Sequence, residues 1–460
     1  MKVFIIYYYI SIIFIINIFH SYSLKFTIHQ IHSNKNIRSL INENNNNNSN
    51  NFGHTPLSSS KEGLYTINLN IGNPNQHFNV LLDIVTPFLW VNNDNCKECK
   101  SENKFIPSSS SSFAKSSDII KINYFSGEIS GNICNDDIGF DFNHSLISKF
   151  NFILINETYL NYEFDGIFGL SKGVSDIKTL EYSTMYQIQR NKILEKNIFL
   201  LEFPKNNFYM GEIPSYLNEY NSYSCKNMKN NKFDSYYWNC IYENIKFNNN
   251  NQLIPTNSSI NNYIIFNTGT NCLIFPTNYI SKFKDIIPSN KLLENNNCSI
   301  KINQDRNNLY ELICNNNIDD ENNEEYQNIY NNEEFISIYL NKEKKIFFKL
   351  NELYNKEDKN FKIYFMDTPN NAIILGTPFF EKYTILLDKD NNNIIIYDGI
   401  KKEDKKKILP IVISIIFIII IVIFIILLIY KIIKRKRQIS SNQIEKHFSS
   451  YSGVFVPEKE

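Results

Sequence analysis

Twice in this 460-residue chain an apolar, strand-like run ends on a polar side chain in a short loop. Phe78-Asn-Val-Leu-Leu runs into Asp83, and Tyr263-Ile-Ile-Phe runs into Asn267. An ionised carboxylate is costly to bury unless it is hydrogen-bonded or functional, so Asp83 alone would read as a turn former or a site residue. A second copy of the construction in the other half of the chain tips the reading to a site.

The sequence between and around these runs is built of short alternating segments. In Tyr65-Thr-Ile-Asn-Leu-Asn-Ile71 the apolar Ile67, Leu69 and Ile71 share one face, and Gly72 and Pro74 stop the run. The same rhythm predicts strands at Ile119–Tyr124, Asn151–Ile155, Phe347–Leu350, Ile373–Leu375, Ile385–Asp388 and Ile394–Tyr397. An all-β globular region is therefore expected. One helix is expected over Thr184–Leu201, where Met185, Ile188, Ile193 and Phe199 approximate a 3.6-residue period. Asn-rich patches at 248–251, 295–297 and 315–323 read as surface loops.

The ends carry different signals. Lys2 precedes an almost uncharged apolar run to Phe19, followed by Ser21 and Ser23, the pattern of a secretory signal peptide over residues 1–23. Residues 24–60 are polar, contain Asn44–Asn48 and read as a propeptide or linker. Ile408–Tyr430 carries no charge and at about 1.5 Å per residue is long enough to cross a bilayer as a helix. Lys405–Lys407 before it and Lys434–Arg437 after it suit two membrane surfaces. The expected product is a single-pass protein with a lumenal or extracellular ectodomain and a cytoplasmic tail over 431–460.

Eight cysteines all lie before the membrane segment, and an even count there implies disulfides. The local pairs Cys96 with Cys99, Cys225 with Cys240, and Cys298 with Cys314 are the expected ones. Zinc at Cys96-Lys-Glu-Cys99 would want a histidine cluster or a second CxxC, and neither accompanies it. Forty-seven basic residues balance 47 acidic ones, so nothing in the charge points to nucleic acid. Sequons stand at Asn143, Asn156, Asn257 and Asn297.

Around the two polar loops lies an ordered set of further landmarks. Ile71-Gly-Asn-Pro74 precedes the first, and Trp90 follows Asp83 by seven residues. Phe105 to Phe113 comes next, then Ile122-Asn-Tyr124-Phe-Ser-Gly127. Further on stand Phe164-Asp-Gly-Ile-Phe-Gly-Leu170 and, near the end, Ile373-Ile-Leu-Gly376-Thr-Pro-Phe-Phe380 with Tyr383 and Asp388. Together these cover residues 60 to 400 and resemble the pepsin-like aspartic proteases. The resemblance implies a bilobal all-β fold, an N-terminal lobe over 61–205 and a C-terminal lobe over 206–400. Each lobe would contribute one loop to an interlobe cleft that takes an extended polypeptide. It also implies that Tyr124 and Gly127 belong to a flap over that cleft. Trp90, Thr86, Thr268, Gly269 and Thr270 would stand around the catalytic position. No metal or organic cofactor is implied, and a monomer is expected.

The family's chemistry uses two carboxylates held so close that they cannot both ionise; one activates water while the other polarises the substrate carbonyl. Here the partner of Asp83 is Asn267, whose amide forms hydrogen bonds but transfers no proton at ordinary pH. The first loop departs further. Where the family has Asp-Thr-Gly this chain has Asp83-Ile84-Val85. Ile84 lacks the hydroxyl that Thr uses in hydrogen bonds between the lobes, and a β-branched Val85 is disfavoured if the turn needs positive φ. Without a like-charge neighbour, Asp83 is expected to titrate as an ordinary carboxyl group. Three functions are compatible with these residues: a pseudoprotease that binds polypeptide without cutting it, a protease that uses Asp83 as its sole carboxylate, and a purely structural surface protein, which differs from the first only in whether the cleft is occupied. His144 stands away from every matched motif and is expected to be a surface residue.

Overall fold

The computed structural model describes residues 53–56, 58–59, 63–124, 127–140, 143–158, 164–174, 176–225, 235–247, 262–303, 309–316, 324–401, 417–437 and 439. The expected signal peptide and residues 408–416 of the expected membrane segment lie outside these residues. So do the 431–460 tail after Ile439 and the sequon at Asn257.

Its centre is one strand arrangement made twice. In the first half, Gln76–Asp83 pairs in parallel with Gly166–Gly169, which pairs antiparallel with Leu89–Lys97, which in turn pairs in parallel with Asn143–Thr158. In the second half, Tyr263–Phe266 pairs in parallel with Ile373–Leu375, Leu273–Pro276 lies antiparallel to that, and Asn360–Met366 runs parallel beyond. Strands covered on both faces read as continuous apolar runs, which is why Tyr263–Phe266 and the last four residues of Gln76–Asp83 are buried throughout. These units sit in an eight-stranded sheet and a sheet whose main path has seven strands.

A third, six-stranded sheet joins the halves. Ile198–Glu202 of the first half pairs antiparallel with Thr384–Asp388 of the second. Gly53–Pro56 adds an outer strand to it through Asn207–Met210, so residues that read as linker are part of a sheet. The seam is tied at other points. Trp238 Nε1 donates to Leu170 O at 2.9 Å, Ser171 Oγ donates to Tyr236 O at 3.0 Å, and Lys389 Nζ donates to Lys172 O at 2.7 Å.

The expected helix is shorter than its periodicity suggested. It spans Thr184–Arg190, capped by Ser183 Oγ accepting from Tyr186 N–H. Asn191 caps its end and Lys192 takes a φ of 50°, after which Ile198–Glu202 forms a fully buried strand. Phe199 therefore belongs to the seam sheet: an unbroken five-residue buried run satisfies a helical period only by coincidence. Phe347 and Phe348 lie in the strand Lys345–Lys349, while Leu350 begins a short helix.

Disulfides join Cys96 to Cys99, Cys225 to Cys240 and Cys298 to Cys314. Cys134 and Cys272 are free and buried, so the even count does not extend to a fourth bridge. Asn156 is committed within the fold, accepting from Asn93 Nδ2 at 2.8 Å and donating to Asn132 Oδ1 at 2.7 Å, whereas Asn297 is exposed in a turn. The helix Phe417–Arg437 is long and apolar enough to cross a membrane, and its residues are exposed.

Phe275 is fully buried, with the rings of Phe247, Tyr279, Phe283 and Phe365 within 6.2 Å of its own. Truncation there leaves a cavity that the surrounding strands cannot close. Phe275→Ala is expected to destabilise the protein by about 3–5 kcal/mol, read as a lower urea midpoint at an unchanged m-value.

Candidate active site

The two polar loops face one cleft of about 940 Å3, lined by Asp83, Thr86, Tyr124, Asn267, Gly269 and Thr270 among others. Each loop is held from behind by its own half. Leu170 N–H donates to Asp83 O at 2.7 Å, and Asn267 N–H donates to Leu375 O at 3.0 Å. The loops are also held to each other. Thr268 Oγ1 donates to Leu82 O at 2.6 Å and accepts from Ile84 N–H at 3.1 Å, so one hydroxyl satisfies two buried backbone groups of the opposite loop. Ile84 is fully buried and has no hydroxyl with which to reciprocate. The coupling runs through Thr268 alone of this pair.

Neither Ile84 nor Val85 has a positive φ, so the turn accommodates both without the left-handed backbone that would penalise a β-branched residue. Gly269 is not at positive φ either; the constraint there is space. A Cβ on Gly269 would stand 3.2 Å from Asn267 Oδ1 and 3.3 Å from Asp83 Cγ, tighter than a side chain ordinarily tolerates. Val85, at the corresponding place in the first loop, is partly buried and packs on the second-half cluster of Tyr263, Ile265 and Ala372. Its isopropyl group thus puts an apolar surface beside the pair.

Asp83 is buried, 5% exposed. Its Oδ1 accepts from Val85 N–H at 2.8 Å and its Oδ2 accepts from the Thr86 hydroxyl. Burial pushes its carboxyl above the ordinary range, and the bonds from Thr86 and Val85 oppose this only in part. This corrects the expectation of an ordinary carboxyl group: losing the second carboxylate removes one cause of a raised pKa, but desolvation remains and dominates. Asn267 turns its Oδ1 to Gly269 N–H at 2.8 Å.

Tyr124 and Gly127 are register partners in the hairpin of Ala114–Tyr124 with Gly127–Phe140. Gly127 has a φ of 153°, a conformation that suits glycine. Trp90 Nε1 donates to Tyr124 Oη at 2.9 Å, and the Tyr124 and Thr86 hydroxyls stand 3.4 Å apart. A polar chain therefore runs from Trp90 through Tyr124 and Thr86 to Asp83. Trp90 itself is fully buried, reaching the site through its N–H and not as cleft surface, and Thr268 is likewise buried. His144 lies in the strand Asn143–Thr158 and is not among the cleft-lining residues. Among the described residues no group of three His, Cys, Asp or Glu side chains could hold a metal ion.

Several contributors were not singled out in the sequence. Tyr236 and Tyr237 line the cleft from the segment before the Cys240 disulfide, and the run Tyr236-Tyr-Trp238 was their only signal. Asp176 and Asp367 also line it, from loops without a recognisable motif.

Two equivalent strand units delivering two loops to one cleft agree with what the whole sequence matches. The sequence profile of the family described as eukaryotic aspartyl protease covers residues 64–397. The chain belongs to this family. Among curated members, it is 33% identical to pregnancy-associated glycoprotein 2 of Sus scrofa over 140 residues, which is 29% of this chain and 33% of that one. It is 31% identical to pepsin A of Gallus gallus over 128 residues, 26% and 33% of the two chains, and 29% identical to plasmepsin VIII of Plasmodium berghei (strain Anka) over 144 residues, 30% and 38%. These matches span little more than a third of each relative. As in other aspartyl proteases, the fold is a bilobal β structure.

Two outcomes follow for the pair of loops. Thr268→Val leaves Leu82 O and Ile84 N–H without their partner and should cost about 1–3 kcal/mol for each buried group left unpaired, measured by urea unfolding. Asp83 gives a signed pH dependence. Because its folded-state pKa lies above the unfolded one, its stabilising contribution is full below the unfolded pKa and is lost as pH rises through the folded pKa. Asp83→Asn should therefore gain in melting temperature relative to the parent as pH is raised from acid to neutral; a constant difference between the two proteins across that range would contradict the assignment.

Proposed function

We propose that this protein is a membrane-anchored pseudoprotease of the pepsin type, binding polypeptide in the interlobe cleft and hydrolysing it poorly or not at all. The observation that carries this reading is the pairing of one carboxylate with one amide across the cleft floor. Asn267 cannot give or take the proton that the second carboxylate exchanges in this chemistry. General acid or base catalysis is worth about 10² to 10⁴ in rate, and that contribution disappears with the second acid. Val85 adds an apolar side chain to the cleft lining beside Asp83. The cleft itself keeps what peptide binding needs: a volume suited to a chain segment, apolar and aromatic walls, and a hairpin over the pair.

We place the cleft domain in a lumenal or extracellular space, anchored by the apolar helix near the C-terminus. Three disulfides fit maturation in an oxidising compartment, and all eight cysteines lie before the helix. We also take the chain to act as a monomer.

A second reading has one observation in its favour. A carboxyl group held above its ordinary pKa by burial can carry its proton toward neutral pH and could serve alone as acid or base. The two readings separate when the full-length protein, solubilised in detergent, is offered a diverse peptide library between acid and neutral pH beside its Asp83→Ala variant. No difference in turnover is expected between them. Cleavage that vanishes in Asp83→Ala would instead establish the single-carboxylate protease. In the reverse direction, Asn267→Asp combined with Ile84→Thr and Val85→Gly should gain activity that Asn267→Asp alone does not.

A further inference from the structure

We infer that the cleft selects polypeptides in which a basic residue flanks a bulky apolar segment, with Asp176 and Asp367 as the residues that set this preference. The inference rests on the polypeptide-binding reading above and names the class of ligand for that site. Its basis is the charge carried by the cleft surface. Away from the buried Asp83, the charged lining residues are Asp176, Asp367 and Lys121. Lys121 is answered locally, its Nζ lying 3.3 Å from Glu128 Oε1 on the opposite strand of the same hairpin. The two carboxylates have no such answer. Among the described residues neither takes part in a salt bridge.

Both carboxylates are exposed and fixed at the backbone end of their loops. Asp176 stands at the start of the turn Ile177–Tyr182 and one of its oxygens accepts from Lys178 N–H at 3.0 Å. Asp367 follows the strand Asn360–Met366, and its Oδ1 accepts from the Thr277 hydroxyl at 2.7 Å. Each has one oxygen engaged by the protein and a second available to a ligand. They come from different halves of the chain, so an extended ligand running through the cleft can meet an acidic side chain from either lobe. The rest of the cleft wall includes apolar and aromatic side chains, among them Phe88, Tyr237 and Ile374. A low-dielectric wall focuses the field of the few charges set in it, so a cationic side chain is favoured and an anionic one is repelled.

Exposed ion pairs contribute about 0.2–1 kcal/mol, so each carboxylate can change affinity by up to about fivefold. The test uses the full-length protein in detergent and three fluorescent peptides with the same central apolar residues, flanked on both sides by Lys, Gln or Glu, with binding read by anisotropy. Binding is expected to fall in the order Lys, Gln, Glu. The spread between Lys and Glu should narrow as salt is raised from about 50 to 300 mM, where screening shortens to a few ångströms. Asp176→Asn with Asp367→Asn should collapse the spread, and Asp176→Glu with Asp367→Glu should retain it, with unchanged melting temperatures showing that the variants are folded. Equal binding of the three peptides, or a spread that survives the double Asn variant, would overturn the assignment of these two residues while leaving polypeptide binding intact. If none of the peptides binds, the polypeptide-binding reading fails and this inference fails with it.

Discussion

A single hydroxyl group holds the two halves of this site in register. Thr268 donates to Leu82 O and accepts from Ile84 N–H, so the loop carrying Asp83 is positioned by the loop carrying Asn267. Buried backbone groups must be paired, and neither loop can shift along the cleft floor without breaking that pairing. In a symmetric arrangement the same service would be returned from position 84. Here Ile84 returns only packing. The geometry is thus kept by one lobe on behalf of both.

The strand units explain why the loops meet at all. Each loop follows a strand buried on both faces and braced by a second strand in parallel, an arrangement made once from Gln76–Asp83 and Gly166–Gly169 and again from Tyr263–Phe266 and Ile373–Leu375. The apolar character of these strands is demanded by burial and has little to do with catalysis. That is how a chain with Ile84 and Val85 after Asp83, and Asn267 in the facing loop, still folds into the family's architecture: the folding information lies in the strands, and loop positions can vary around it.

Much of this was legible in the sequence because duplication is visible without coordinates. The apolar runs into Asp83 and Asn267, the alternation in Tyr65–Ile71 and the three local cysteine pairs each depend on neighbouring residues, and local rules read them. What was not legible depended on the other half of the chain. Phe199 fitted a helical period but belongs to a strand chosen by its partner Leu387. The even cysteine count does not reveal that Cys134 and Cys272, in different halves of the chain, are buried outside any disulfide. Val85 read as a possible backbone problem, whereas its contribution is a contact with the opposite lobe. The raised pKa of Asp83 has a related cause: its missing like-charge neighbour is visible in the sequence, whereas the solvent removed from it by the whole fold is not.

The seam sheet carries a consequence for the order of events during synthesis. Its central pairing joins Ile198–Glu202 to Thr384–Asp388, strands made far apart in time. A ribosome delivering the chain from its N-terminus exposes the edge of Ile198–Glu202 long before its partner emerges, and non-local pairing of this kind is slow even when both strands are present. Until then the edge of Ile198–Glu202 that faces Thr384–Asp388 has no strand partner, a delay set by the sequence separation of the two. Closure comes only when the last strands of the sheet, Thr384–Asp388 and Asn393–Lys401, have been made.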